Sequence, residues 1–205
     1  MIALSPLPAL AAEEAPRVRD LTPNQLTDGP GLSAHEALAA CAPAAAVAMA
    51  RALGLDPTLD EAVDLARGVG WTAGFGMSGA KNQAHLLAYL GVAARLGDGE
   101  GIDWELVIRH VSGGNPVILI APGHYFVAEG YDPETEVFDF GNSAAVLRAA
   151  SGRRLFAPDE LGSLGFGEPT QAIFLERPLL ARSARGHVLF ASKQASMRPR
   201  TLDAY

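Results

Sequence analysis

CAPAAAVAMARALG, residues 41–54, holds one charged residue, Arg51, in a run that is otherwise apolar and closes on a glycine. Alanine is the strongest helix former, and a proline in the first turn costs no hydrogen bond because the N–H it lacks has no helical partner there. The stretch therefore reads as a helix from Cys41 to Leu53, stopped at Gly54. A helix without a polar face is buried on most sides. It must pack against other elements, and the rest of the chain supplies them in two halves.

The first half is helical. Helix signals begin around Ser33. Thr58 and Glu61 have capping-box spacing and open a helix to about Arg67. Ser78 is placed to cap a third helix ending at Leu90 and Gly91, and Asp103 a fourth over residues 104–111. The pattern then changes. Residues 116–121, 124–131 and 136–140 are short apolar or alternating runs of strand length, the last two joined by the turn Asp132-Pro133-Glu134-Thr135, and residues 170–175 form a late strand. Helices followed by an antiparallel sheet make an α+β fold. Residues 1–32 contain five prolines and no sustained period, and are expected to be an extended N-terminal arm. The folded domain is expected over 33–176, with a tail over 177–205.

The net charge of −7 is unevenly spread. Residues 177–205 carry six Arg and Lys against Asp203 alone, a net +5, which leaves −12 on the remainder. An acidic body repels phosphates and argues against nucleic acid as a partner. The basic tail is expected to be solvated, with docking on an acidic surface as the alternative. No apolar run approaches the roughly 20 residues of a membrane helix. The N-terminal segment lacks a basic region, and Pro6 and Pro8 break its apolar run, so a secretory signal is not expected. A single cysteine allows no internal disulfide and leaves the compartment open.

That cysteine, Cys41, falls at a helix start, where the helix field and free backbone N–H groups favour a thiolate and can hold an oxyanion. Taken alone, a small buried core residue is the commoner explanation. His124 follows Pro122-Gly123 and leads a strand, where it can reach a cleft between helix and sheet. A Cys–His pair is the minimum for thiol nucleophilic chemistry. A third group should accept the other imidazole N–H. Asn142 continues the face of Phe138 and Phe140, whereas Asp139 points to the other side of a regular strand. The face count favours Asn142, with Asp139 expected to face outward and kept as the alternative.

Three segments carry a resemblance. CAPAAAVAMARALG resembles the cysteine helix of bacteriocin-processing (double-glycine) peptidases and their relatives. GHYFVAEGYD, residues 123–132, is similar to their histidine strand, and FDFGNS, residues 138–143, to the asparagine-serine step that closes a papain-type triad. The order Cys, His, Asn also agrees, and the likeness covers roughly 33–175. Domains of this kind also resemble parts of phage tail proteins. The resemblance implies a papain-like fold, a helical lobe bearing Cys41 against an antiparallel sheet bearing His124 and Asn142. It also implies cysteine-dependent cleavage of an amide, in a peptide or a cell-wall stem or cross-link, with no cofactor and no metal.

Two positions depart from the family pattern. Ala42 stands where a glycine is usual, and His35 stands six residues before Cys41, where the resemblance calls for an oxyanion-hole glutamine. Gln25 and Gln83 are other donors, with no spacing to recommend them. Loss of one oxyanion donor costs about 100–1000-fold in rate. A catalytically degenerate module, acting in binding or in assembly of a larger particle through the arm and tail, is therefore the rival expectation. The location stays open, with a soluble protein in a virion or one that is secreted both compatible with these readings. Trp71, Phe75 and Met77, in the glycine-rich loop 68–79, either line a substrate groove or pin the loop to the core. His85 and His110 read as ordinary helix-face residues.

Overall fold

The computed structural model describes residues 21–97, 101–141 and 155–176. The basic tail and the first twenty residues lie outside them. Four helices come first: α1 (Ala34–Leu38), α2 (Cys41–Ala52), α3 (Leu59–Arg67) and α4 (Ala80–Tyr89). They are followed by β1 (Ala94–Leu96), α5 (Trp104–Ser112), β2 (Val117–Ala121), β3 (His124–Asp132), β4 (Val137–Gly141), β5 (Leu155–Phe156), a 3-10 turn (Pro158–Leu164) and β6 (Gln171–Leu175). The strands form one antiparallel sheet in the order β1-β6-β2-β3-β4-β5. The fold is α+β and papain-like.

Every residue of α2 from Ala42 to Ala50 is buried. The distance between packed elements is set by the side chains at the contact, so the alanines let α2 lie close to its neighbours on all sides. One face of the sheet, through Ile118, Ile120, Tyr125, Val127 and Ile173, shares a core with α2, α3 and α4. The opposite face, through Leu119, Phe126, Phe138, Phe140 and Phe174, packs on Val107 and Val111 of α5 and on Leu161. Burial on both faces explains why β2 is apolar at every position.

The caps of α3 and α5 form as expected, from Thr58 with Glu61 and from Asp103. The cap of α4 does not. Gly79, not Ser78, precedes the helix, with φ +79. That left-handed backbone suits glycine, and it moves the cap one residue beyond the serine.

Asp139 is corrected as well. It was expected to face outward, yet it is buried on β4. Phe138 and Phe140 do face a core. The pairing of β3 with β4 shifts register between Ala128 and Gly130, a bulge at Glu129, and this edge of the other face is covered by the stretch after residue 20. There the Thr22 N–H and hydroxyl both donate to Glu129 Oε1. A Cβ at Gly141 would collide with both partners, so glycine leaves the space in which they meet.

Residues 21–32 are thus held by polar contacts. Thr22 and Gln25 are buried, Gln25 Nε2 donates to the Leu38 carbonyl at 3.1 Å, and Arg51 donates to the Leu21 carbonyl at 3.2 Å. An arm boundary at residue 32 would sever all of them. Each buried hydrogen bond contributes about 1 kcal/mol, and more when its loss strands a partner. Deleting residues 1–32 should therefore destabilise the protein by roughly 3 kcal/mol, or about 6–12 °C in Tm, relative to deletion of residues 1–20. Parallel calorimetric melts of the two truncations check this, and equal melts would make 21–32 a passive strap.

Candidate active site

Cys41 is the first residue of α2. Ala40 before it provides no side-chain cap. The N–H groups of a helix's first turn have no intrahelical partner, and those of Cys41 and Ala42 turn toward the sulfur, joined from β3 by the Tyr125 N–H. These donors favour a thiolate. Burial is the larger influence, however, and pushes the Cys41 thiol above its ordinary value. Enclosure and the helix-start donors thus pull the Cys41 thiol in opposite directions, with enclosure the stronger.

The turn that carries Cys41 is fixed by side chains from three other segments. Gln25 donates to the Leu38 carbonyl, Trp71 Nε1 to the Ala39 carbonyl at 2.8 Å, and the fully buried Gln83 Nε2 to the Ala42 carbonyl at 2.9 Å. Both glutamines act on backbone carbonyls beside the cysteine, and neither lines the cavity described below. Trp71 is likewise a pin, not a groove residue.

His124 opens β3 after a turn in which the Gly123 N–H donates to the Phe166 carbonyl. It is buried, with its ring 4.8 Å from that of Phe126 and 4.6 Å from that of Phe166. Tyr125, the next residue, belongs to the opposite core, beside α2. The sheet end thus offers Cys41 a backbone donor from Tyr125, with His124 as its neighbour in the chain.

Both residues line one cavity of about 740 Å³, at the junction of the helical lobe and the sheet. His35 and Leu38 of α1 and Phe75 and Met77 of the glycine-rich loop line it too. Met77 is buried and Phe75 almost wholly exposed. Asp139 is not among the lining residues, and Asn142 lies outside the described residues. The sequence reading missed Leu38, Ser78, Thr170 and Gln171, which also line the cavity. Thr170 and Gln171 arrive there because β6 pairs with β2, whose last residues adjoin the Pro122-Gly123 turn. No local pattern announces that. Among the described residues no group of acidic, histidine and cysteine side chains could hold a metal ion, and no helix is long and apolar enough to cross a membrane.

A model of the Peptidase_C39 like family matches residues 22–152, more than half of the chain. The chain belongs to that family. Kinship places this C39-like protein among the papain-like cysteine peptidases, and the match begins one residue after Leu21, within the segment that docks on Glu129. No curated protein matches the C39-like chain.

Proposed function

We propose that this C39-like protein is a hydrolase that cleaves an amide through a Cys41 thioester, with His124 as acid and base and Asn142 orienting the imidazole. The observation that supports the reading is that Cys41 and His124, from separate lobes, both line one cavity. His124 accepts the thiol proton as sulfur adds to the carbonyl carbon, so no thiolate need be stored. The carbonyl electron pair moves onto oxygen, where the uncapped N–H groups at the start of α2 can receive it, with His35 the nearby side-chain donor. The intermediate collapses with loss of the amine, which takes the proton from His124. Water then attacks the thioester, gives a proton to His124, and releases the acid. The Cys41 sulfur leaves and recovers that proton. Trapping the thioester is the direct test: mass spectrometry after brief incubation with an activated ester should find the acyl group on Cys41, and a stable absence of label would remove the hydrolase reading.

Asn142 and Asp139 separate experimentally. Asn142→Ala should lower turnover at least about tenfold, the effect of an imidazole that has lost its orienting partner. Asp139→Ala should act on the melt more than on turnover, because Asp139 is buried away from the cavity. Parent-like hydrolysis by Asn142→Ala, beside a folded but inactive Asp139→Ala, would reverse the assignment.

The rival reading, a degenerate module for binding or assembly, draws on two observations. Burial pushes the Cys41 thiol up, and an exposed histidine stands where the resemblance calls for a glutamine. Ligand binding without any Cys41 acylation would favour it.

A further inference from the structure

Two large apolar side chains at the cavity are displayed to solvent. Phe75 is 97% exposed and Leu38 62%. Exposed apolar groups are common on surfaces, but Phe75 is presented by a braced loop. Thr72 and Gly76 exchange backbone hydrogen bonds of 2.9 and 2.8 Å, closing a tight turn with Phe75 at its tip. Trp71 on one side is buried and bonded to Ala39, and Met77 on the other is buried with its carbonyl accepting from the Tyr125 hydroxyl at 3.2 Å. A Cβ on Gly76 would lie 3.3 Å from the Ala39 carbonyl, so this loop rests on the turn that follows Leu38. Phe75 and Leu38 therefore flank one seam, on backbone that is already ordered.

The rest of the lining is equally distinctive. The chain is 19% charged, yet no Asp, Glu, Lys or Arg is among the described residues that line the cavity. A charged group entering there would lose hydration and meet, among the described lining residues, His35 and His124 as the basic side chains.

From these two observations we infer that the cleft selects a peptide segment that is uncharged and carries a large apolar side chain, clamped by Phe75 and Leu38. The inference rests on the proposed hydrolase site for its cleavage step, but not for its binding step. An ordered clamp lowers the entropy cost of binding, so truncating it should show directly in affinity.

The test uses the full chain and three acetylated alanine hexapeptide amides carrying one central leucine, glutamate or lysine. Binding is measured on Cys41→Ala and turnover on the parent. The leucine peptide should bind about tenfold or more tightly than either charged one, the worth of one buried apolar side chain. Leu38→Ser with Phe75→Ser should erase that preference while leaving the melt unchanged, since both side chains are exposed. Equal or tighter binding of a charged peptide, no binding of any, or a preference that survives the double substitution would each overturn the inference. Preferential binding without turnover by the parent would leave the clamp standing and remove the hydrolase. Turnover without preference would do the reverse.

Discussion

Cys41→Ala should fold as the parent does and hydrolyse nothing measurable. The residue is partly exposed at the first position of α2, within a run where alanine already occupies most neighbouring sites. Replacing it removes one sulfur atom and none of the hydrogen bonds that fix the turn, which come from Gln25, Trp71 and Gln83 to the carbonyls of other residues. The stability cost should be about 1 kcal/mol or less, within the range of substitutions that break no packing or network. The catalytic cost is of another order. Without a nucleophile no thioester forms, and the loss should be on the order of 10⁴–10⁶ in turnover, leaving what binding and the oxyanion donors supply alone. Turnover of a fluorogenic amide, with a melt on the same samples, decides it. A Cys41→Ala protein that fails to fold would make the cysteine a core residue and sink the nucleophile assignment.

The legible and illegible parts of this molecule divide along physical lines. The helix over 41–52 could be read because it is apolar on all sides, and its start could be placed because Pro43 fits a first turn. The strand over 117–121 could be read from the length of its apolar run. The three-residue β1 and two-residue β5 could not, because they are too short to show a period and exist only where β6 and β4 offer an edge. The docking of residues 21–32 could not be read because a search for apolar periodicity is blind to hydrogen bonds, which is how Thr22 and Gln25 are held. Asp139 was misplaced for a related reason. Counting faces from Phe138 and Phe140 gave the correct alternation but assumed that the opposite face was wet, whereas the Thr22–Glu129 contact closes over it. At the site itself, residue identity and the helix start pointed to Cys41. The acidity of its thiol depends on how deeply the sulfur is enclosed, which only the tertiary packing settles.

That enclosed thiol makes His124→Ala informative in two measurements at once. Hydrolysis should fall by about 10²–10⁴, the usual worth of a positioned acid and base. Alkylation of Cys41 by iodoacetamide should scarcely change. The thiol is held above its ordinary value of 9.0 by burial, with backbone N–H groups as the opposing pull. A group raised in this way keeps its proton until the pH passes that raised value. Because the thiolate is the reacting species, the alkylation rate should climb about tenfold per pH unit through neutrality and beyond pH 9, in parent and variant alike. The imidazole then matters only when a carbonyl is under attack and the proton has to move. The substitution also empties a place between Phe126 and Phe166, so some loss of stability accompanies it, and a melt at the assay temperature must show the variant folded. His124→Phe, which refills that place, should be equally inactive and closer to the parent in Tm. A different profile would mean a different mechanism: fast, pH-independent alkylation of the parent below pH 8, abolished in His124→Ala, is the mark of a stored thiolate–imidazolium pair. In that case the charge of His124 would outweigh burial at the sulfur, and the attacking group would be ionised before the substrate arrives.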